Sequence, residues 1–314
     1  MIATRFEYKK PTNIQEAIDL FQSFNGEAAY LSGGTELVPL IKLGLKKPKA
    51  IIDLKRIAPL ATIEDQGDWI RIGSMVRIFD LKGYGPVVDH FPALKASLEA
   101  TSCETLQMRA AIGGNLLQNT RCLFYNQSEF WRKSKGFCLK MGGLSCNAVQ
   151  GAKTCFANYC SDNAPALCTL SAEIELHGPS GERRLPLHEL YSNKAQDPFD
   201  FRQGEILTAI LIPKKTTKGG YEKLRLRGSV DYPLLGVALS SWDETGKLAV
   251  GAVGPMPYVL EINQLSHNAL TEAIGSLLKE VRPVSNTVVD GAYRKRMIPV
   301  LAERLVKQVM EGAD

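Results

Sequence analysis

The sequence predicts an α+β protein with two N-terminal subdomains and a C-terminal α+β domain. Short apolar strands alternate with amphipathic helices along the chain. The 314 residues also exceed the size at which a single hydrophobic core stops growing. Near residue 218 the pattern changes to longer strand-like runs followed by two amphipathic helices. We therefore expect subdomains over 1–56 and 57–217 and a third domain over 218–314.

The first 56 residues are predicted to form a βαβ unit. In PTNIQEAIDLFQSF the apolar residues recur at helical spacing after Thr12 or Asn13, which are residue types that begin helices. Ala28–Leu31 is predicted to be a short apolar strand. A Ser-Gly-Gly turn, a helix from about Thr35 and a second strand in AIIDLKRI complete the unit.

The second subdomain is predicted to contain two hairpins, several helices and a further strand. The segments TIEDQ and WIRIGS flank a Gly-Asp turn, and AEIELHGPSGERRLPL reverses at Gly-Pro-Ser-Gly. Helices are predicted near Ile78, in PALKASLEAT and in DNAPALCTL, and EILTAILIP is predicted to be a strand.

The C-terminal domain is predicted to begin with a strand, a helix and a strand. This pattern is taken from YEKLRLRGSVDYPLLGVALSSWDETGKLAVGAVGPMP, with a turn at Glu-Thr-Gly. The segments EAIGSLLKEV and AYRKRMIPVLAERLVKQVME then predict two amphipathic helices.

Composition and charge exclude several classes of function. The net charge of +5 is a mild excess without a long basic run, which argues against nucleic-acid binding. No stretch approaches 18 consecutive apolar residues, so no membrane span is expected. The N-terminal MIATRFEYKK has no apolar core of a secretory signal, and we expect a cytoplasmic protein.

Two glycine turns are candidates for binding phosphate. LSGGTEL lies between a predicted strand and a predicted helix, and AIGGNL spans Ala111 to Leu116. Glycines let backbone N–H groups come close to a ligand, and a helix N-terminus favours an anion. The simpler alternative for LSGGTEL is a tight turn with a capping Thr. Because neither turn matches a Rossmann or P-loop motif, the pair suggests a diphosphate held from two sides.

Five of the seven cysteines lie between residues 120 and 160. Cytoplasmic thiols stay reduced, so this cluster predicts metal binding or redox chemistry rather than disulfides. The spacing C-x15-C-x7-C-x8-C from Cys122 to Cys155 lacks the paired C-x2–4-C of structural zinc sites, which favours an iron–sulfur cluster over zinc. On spacing alone Cys160 could replace Cys155. Cys168 is expected in the core and Cys103 in a structural role.

Four motifs occur in the order LSGGTEL, AAIGGNL, SDNAPAL and YEKLRLRGSVDYPL. In this order they resemble the FAD-binding subunits of the molybdenum hydroxylases, the family of xanthine dehydrogenase and carbon monoxide dehydrogenase. The resemblance implies the vanillyl-alcohol-oxidase/p-cresol-methylhydroxylase-type fold, in which two subdomains hold an extended FAD. The FAD-binding positions that it implies are Leu31, Ser32, Gly33, Gly34, Thr35, Glu36, Thr101, Ala111, Ile112, Gly113, Gly114, Asn115, Asp162, Lys223 and Leu224.

The chain departs from the family pattern between its second and third motifs. Most members have only a few residues there, whereas this chain has the segment 116–160. The insertion resembles the loop of the flavin subunits of 4-hydroxybenzoyl-CoA reductases, which carries a [4Fe–4S] cluster. The resemblance implies four cluster ligands: Cys122, Cys138, Cys146 and Cys155.

The resemblance implies an electron-transfer role. Electrons from ferredoxin would pass through the [4Fe–4S] cluster and FAD to partner subunits, and 4-hydroxybenzoyl-CoA would be reductively dehydroxylated to benzoyl-CoA. The chain has no recognisable molybdenum ligand and no plant-type [2Fe–2S] motif, so we expect a molybdenum subunit and a [2Fe–2S] subunit in a dimer of heterotrimers. Two alternatives stay open: a flavin subunit of a xanthine- or carbon-monoxide-dehydrogenase-like hydroxylase with a structural zinc loop, and a scaffold protein without flavin.

Overall fold

The computed structural model describes residues 5–311 and contains three sheets, of three, five and four strands. Each of the ranges 1–56, 57–217 and 218–314 contains the strands of one sheet, although the boundaries themselves stay predictions. Among the helices of the described part, none has the length and apolar character needed to cross a membrane.

The strands and helices follow one another in three groups that match the three sheets. The strands are β1 (Glu7–Lys9), β2 (Ala28–Leu31), β3 (Ala50–Asp53), β4 (Ile63–Asp65), β5 (Trp69–Gly73), β6 (Glu173–Gly178), β7 (Gly181–Pro186), β8 (Ile206–Pro213), β9 (Lys218–Leu224), β10 (Leu235–Trp242), β11 (Thr245–Gly251) and β12 (Tyr258–Ile262). The α-helices are α1 (Ile14–Ser23), α2 (Leu37–Lys42), α3 (Ile78–Lys82), α4 (Gly85–Val88), α5 (Pro92–Ala100), α6 (Glu104–Gln107), α7 (Ile112–Leu116), α8 (Glu129–Lys135), α9 (Asn163–Thr169), α10 (His267–Glu280) and α11 (Gly291–Glu311).

The first subdomain is a parallel sheet in the order β1-β3-β2. Helix α1 begins after Asn13, whose side chain accepts a hydrogen bond from the Glu16 backbone N–H at 2.9 Å. Its residues Ala17 and Ile18 are buried in one core cluster with Ile52 of β3. The predicted βαβ unit is therefore present. The sequence did not predict β1, because a three-residue, mostly exposed strand has no apolar pattern.

The second subdomain is a five-stranded antiparallel sheet in the order β4-β5-β8-β6-β7. Both predicted hairpins and the predicted strand β8 are present. Seven of the eight residues of β8 are buried, so this strand runs through the centre of the sheet. The large core of this subdomain contains residues from α3, α5, α7 and α9 beside the sheet.

The C-terminal domain is an antiparallel sheet in the order β12-β11-β10-β9, covered by α10 and α11. The helix predicted within DYPLLGVALSSW is wrong, because Leu235–Trp242 is strand β10. Its Val237 and Leu239 lie in the core beside α10 and α11, whereas Ala238 clusters with residues of α5 and α9. A strand buried on both faces has no polar alternation, and its apolar run cannot be told from a buried helix by periodicity.

The inserted segment 116–160 is joined to more than one part of the fold. After Leu116, the last residue of α7, it contains one α-helix, α8, a short 3-10 helix at Leu139–Met141, and mostly turns. The Arg132 guanidinium donates to the Leu43 carbonyl of the first subdomain, with its Nη1 and Nη2 atoms at 3.3 and 3.2 Å. The Leu123 backbone N–H donates to the Asn286 carbonyl of the C-terminal domain at 2.9 Å. The segment is thus a packed part of the structure.

We predict that the buried Arg294 of α11 stabilises the C-terminal domain. Its guanidinium donates to the carbonyls of Ala252 at 2.9 Å and Val284 at 2.7 Å. Arg294→Met should lower the free energy of unfolding by roughly 3 kcal/mol, because a charged donor is lost and buried carbonyls lose their partner. The exposed Arg296 on the same helix supplies the control, Arg296→Met. Coinciding urea unfolding curves for the two variants would contradict this role.

Candidate functional site

A cleft of about 660 Å³ lies where the three parts of the chain meet. The turn after β2, residues 32–36, lines one side, and residues 110, 111 and 113–115 at the start of α7 line the other. The loop between β9 and β10 contributes residues 227 and 230–232 to a third side. The two glycine turns identified in the sequence therefore border the same space, as a ligand held from two sides requires.

Close backbone packing accounts for two of the glycines. A Cβ atom at Gly33 would lie 1.8 Å from the Arg109 carbonyl oxygen, and one at Gly113 would lie 2.7 Å from Ser74 Cβ. Gly114 differs, because a Cβ there would meet nothing closer than Ser32 Oγ at 3.6 Å. Gly33 and Gly113 are therefore needed for packing between segments of the protein, whereas a side chain at Gly114 has space beside the cleft.

Three buried polar atoms in the cleft lack partners. Ser32 Oγ, Glu36 Oε1 and Gln118 Oε1 form no hydrogen bond within residues 5–311, and all three residues line the cleft. Buried polar atoms in folded proteins are nearly always hydrogen-bonded. Together with the two glycine turns, these atoms fit a large polar ligand that supplies the missing donors and acceptors.

A charged and aromatic cluster closes one edge of the cleft. Glu36 Oε2 lies 3.4 Å from Arg121 Nη1 and accepts a hydrogen bond from the Tyr232 hydroxyl at 3.3 Å. The Arg121 guanidinium stacks on the Tyr232 ring, 3.9 Å from its centroid. Burial raises the pKa of Glu36, and Arg121 opposes that shift. The cluster joins the first glycine turn, the inserted segment and the C-terminal domain.

A buried hydrogen-bond network connects the second glycine turn to α9. Asn115 Oδ1 accepts hydrogen bonds from Ser161 Oγ at 2.6 Å and from Asn163 Nδ2 at 3.0 Å. Asn163 Nδ2 also lies 3.2 Å from Thr101 Oγ1. Thr101 and Asn115, far apart in the sequence, are thereby held in one network beside the cleft.

Asp162, next to α9, is the centre of a buried ion pair. Its Oδ1 lies 2.9 Å from Lys223 Nζ and accepts a hydrogen bond from the Tyr221 hydroxyl at 2.9 Å. Lys223 Nζ also donates to the Ala100 carbonyl at 2.9 Å. Burial raises the pKa of Asp162 to about 6, and Lys223 acts in the opposite direction. The pair connects the second subdomain to the C-terminal sheet.

Most of the predicted FAD positions border the cleft, and four do not. Those that line it are Ser32, Gly33, Gly34, Thr35, Glu36, Thr101, Ala111, Gly113, Gly114, Asn115 and Asp162. Leu31 and Ile112 lie in apolar cores. Lys223 is held by Asp162, and Leu224 packs against the core of the C-terminal domain.

Four further residues of the fourth motif line the cleft without having been predicted. They follow Lys223 in YEKLRLRGSVDYPL and are Arg227, Val230, Asp231 and Tyr232. The polar and aromatic side chains of Arg227, Asp231 and Tyr232 were the available signal. The chain reverses direction between β9 and β10, and this reversal brings the connecting loop to the cleft. Lys223 on β9 does not line the cleft. The sequence did not reveal this reversal.

Four cysteines of the inserted segment surround a second, narrow cavity. Cys122, Cys138, Cys146 and Cys155 all line it. Cys160 is not among the lining residues, and its Sγ lies 3.4 Å from the Asn158 carbonyl oxygen. Within residues 5–311, no three His, Cys, Asp or Glu side chains are arranged closely enough for a metal ion. The four cysteines thus line one narrow cavity.

Burial disfavours the thiolate form of two of these cysteines. It raises the pKa of Cys122 to about 11, and the neighbouring cysteines add to the shift. Burial also raises the pKa of Cys155. A bound metal centre reverses this preference, because thiolate ligands bind it deprotonated.

The cleft and the cysteine cavity are close along the chain. Gln118 and Asn119 line the cleft, and Cys122 lines the cavity. Thr120, between them, is fully buried and donates to the Ala195 carbonyl at 2.5 Å. The segment 118–122 is therefore a short, ordered connection from one site to the other.

Comparison with known proteins reveals a single family. The model "FAD binding domain in molybdopterin dehydrogenase" matches residues 4–215. The aldehyde oxidoreductase FAD-binding subunit PaoB of Escherichia coli K12 is 30% identical over 321 residues, covering 95% of this chain and 98% of that protein. The carbon monoxide dehydrogenase medium chain of Afipia carboxidovorans is 25% identical over 327 residues, covering 100% and 99%.

Solved structures show the same fold. A Cu,Mo-CO dehydrogenase structure superimposes with a TM-score of 0.80 at 24% identity, covering 100% of both chains. Quinoline 2-oxidoreductase from Pseudomonas putida 86 gives a TM-score of 0.77 at 19% identity, covering 100% of this chain and 99% of the other. The mixed α/β architecture predicted from the sequence is therefore confirmed at this level.

We predict that Gly114→Val weakens flavin binding without unfolding the protein. The new side chain would project beside Ser32 at the cleft, where overpacking costs about 1–3 kcal/mol. The Kd for FAD should therefore rise roughly 5- to 150-fold, measured by flavin fluorescence and circular dichroism. Gly275→Val is the control, because a Cβ at Gly275 meets nothing within 4 Å. Unchanged FAD affinity in Gly114→Val would remove this turn from the site.

We also predict that Lys223→Met destabilises the fold in a pH-dependent way. Removing one partner of a buried ion pair costs about 3–5 kcal/mol. The pKa of Asp162 is already raised in the folded state, so protonation favours folding. Without Lys223 the pKa of Asp162 rises further, so the loss of stability should be largest above neutral pH, shrink as the pH falls towards 6 and stay constant below 6. Urea unfolding across this range tests it, with the exposed Lys215→Met as control. An effect independent of pH would contradict the ion-pair explanation.

Proposed function

Because the chain belongs to the family of FAD-binding subunits of molybdopterin dehydrogenases, we propose that it is the electron-transferring subunit of a multi-subunit molybdenum enzyme of the xanthine and carbon monoxide dehydrogenase type. The observation that carries the proposal is the cleft bordered by both glycine turns. The buried polar atoms of this cleft that lack partners within residues 5–311 fit a large polar ligand, and the family match supports FAD as that ligand.

FAD supplies two-electron and one-electron redox chemistry when bound. The chain's own residues bind it and exclude water. We propose that FAD extends between the two N-terminal subdomains, as in the vanillyl-alcohol-oxidase-type fold, with its diphosphate between Gly34 and Gly114. Ser32 Oγ and Gln118 Oε1 then gain hydrogen-bond partners. The Asp162–Lys223 pair and the Asn115 network hold α9 and the second turn in place.

The partners follow from the type of enzyme. Three relatives are named medium chains, and PaoB is named an FAD-binding subunit. We propose a molybdenum subunit and a [2Fe–2S] subunit as partners, in a cytoplasmic dimer of heterotrimers. Co-purification of three chains with molybdenum, iron and FAD tests this assembly.

For the cysteine cavity we propose a [4Fe–4S] cluster bound by Cys122, Cys138, Cys146 and Cys155. A zinc ion needs four sulfurs about 2.3 Å from one point, whereas an iron–sulfur cube needs four thiolates around its corners. Four cysteines around one cavity support the cube. The cavity is narrow, so the thiol side chains must rotate outward and the loop must expand as the cluster binds. Coupling of metal binding to such ordering is common.

For the reaction of the whole enzyme, the relatives favour oxidation of a substrate. Their names refer to aldehyde, carbon monoxide, glyceraldehyde and xanthine. Reductive dehydroxylation of 4-hydroxybenzoyl-CoA, with ferredoxin as donor, is the second candidate, and only the cysteine cavity favours it. Assaying the purified complex for aldehyde oxidation with a dye acceptor and for 4-hydroxybenzoyl-CoA reduction with reduced ferredoxin separates the two.

We predict that Cys138→Ser and Cys146→Ser lose the iron–sulfur centre and keep FAD. The cavity loses one of four ligands in each variant, whereas the glycine turns of the cleft are unchanged. Iron and acid-labile sulfide should fall severalfold, and the EPR signal of the reduced cluster should disappear or change. Flavin absorbance should remain near one FAD per chain.

Two other buried cysteines are the matched controls. Cys160→Ser and Cys168→Ser should retain iron, because neither residue lines the cavity. Loss of iron from Cys160→Ser, together with its retention in Cys155→Ser, would show that the ligand set is wrong. If the wild-type protein contained one zinc ion per chain and no acid-labile sulfide, the cysteines would bind structural zinc and the proposed cluster would be wrong.

A further inference from the structure

Lys140 places a positive charge at the wall of the cysteine cavity. Its side chain lines the cavity together with the four cysteines. The ammonium donates to Asn119 Oδ1 at 2.7 Å, to the Thr120 carbonyl at 2.8 Å and to the Thr120 hydroxyl. It also lies 4.5 Å from the centroid of the Tyr125 ring. All of these contacts are to neutral groups.

The charge of Lys140 lacks a carboxylate partner. Within residues 5–311 it forms no ion pair with Asp or Glu, and Lys46 adds a second positive charge nearby. Charged side chains removed from water are normally paired. The groups near Lys140 that can become anionic are Cys122, Cys138, Cys155 and Glu36, and the three cysteines belong to the wall of the cavity.

An iron–sulfur cluster would supply the missing negative charge. Four thiolate ligands make such a cluster anionic, and its negative charge grows when it accepts an electron. A cation fixed beside it, where water screens little, stabilises the reduced form more than the oxidised form. The result is a higher reduction potential, of the kind that neighbouring groups impose on metal centres.

We propose that Lys140 is the charge partner of the cluster in this cavity and raises the cluster's reduction potential. The inference rests on the proposed cluster. The acceptors of the ammonium belong to Asn119, which lines the flavin cleft, and to Thr120, the next residue in the chain. Lys140 is therefore a positioning and tuning residue for electron transfer between the two sites.

The test uses the purified complex and three variants. Lys140→Met removes the charge, and Lys140→Arg keeps it. Lys135→Met removes a charge from the exposed end of α8. Iron, sulfide and FAD contents are measured first. The midpoint potential of the cluster then comes from a dithionite titration followed by EPR.

The expected result is a shift of the midpoint to lower potential in Lys140→Met. Lys140→Arg should remain much closer to the wild type, and Lys135→Met should be unchanged. If Lys140→Met loses iron and Lys140→Arg keeps it, with FAD retained in both, the charge role is also supported.

Three other results would overturn the inference. A wild-type midpoint in an iron-replete Lys140→Met would show that the charge does not act on the cluster. Loss of iron from both Lys140 variants, with FAD retained, would show that the lysine side chain is needed only for the packing of the cysteine cavity. Absence of iron and sulfide from the wild-type complex would overturn the proposed cluster itself, and the metal analysis alone distinguishes that case.

Discussion

The structure depends on a close backbone contact between the first glycine turn and the second subdomain. Gly33 lies so near the Arg109 carbonyl that a Cβ atom has no room. On the other side, Gly113 donates its backbone N–H to the Ser74 carbonyl at 2.9 Å. These contacts bring two turns from different subdomains to the same cleft. Without them, neither turn alone would form a site for a ligand as long as FAD.

The inserted segment 116–160 begins and ends beside the second glycine turn. It follows Asn115, and Ser161, the residue after it, donates a hydrogen bond to Asn115 Oδ1. Its attachment uses Arg132 and the backbone of Leu123, which bind carbonyl groups in different parts of the fold. An insertion held by such contacts can keep its cysteines near the flavin cleft while the surrounding subdomains retain the family architecture.

The lysines near the two sites differ in their partners. In the Asp162–Lys223 pair each charge is neutralised by the other, and the pair connects the second subdomain to the C-terminal domain. Within the described residues, Lys140 makes hydrogen bonds only to neutral groups. The first arrangement is complete within the protein, whereas the second is suited to an anionic group in the cavity beside it. This difference distinguishes a structural ion pair from the lysine that we propose as the charge partner of a cluster.

The sequence by itself determined the composition of both sites and much of the fold. The strand Ala28–Leu31, both hairpins and the start of α1 at Asn13 were predictable, because local spacing, turn residues and capping govern them. The glycine turns were recognisable as ligand-binding candidates, and five clustered cysteines indicated a metal site. Family motifs supplied the expectation of FAD.

Only the tertiary structure decided the rest. Strand β10 has no alternating pattern, because helices cover both faces of its sheet, so its neighbours determine its conformation. Lys223 lies away from the cleft lining because Asp162 holds it, and Tyr232 reaches the cleft through the reversal after β9. Cys155 and Cys160 are equivalent in spacing, yet the path of the chain brings only Cys155 to the cavity. These outcomes depend on contacts between residues far apart in sequence, and local pattern carries no information about them.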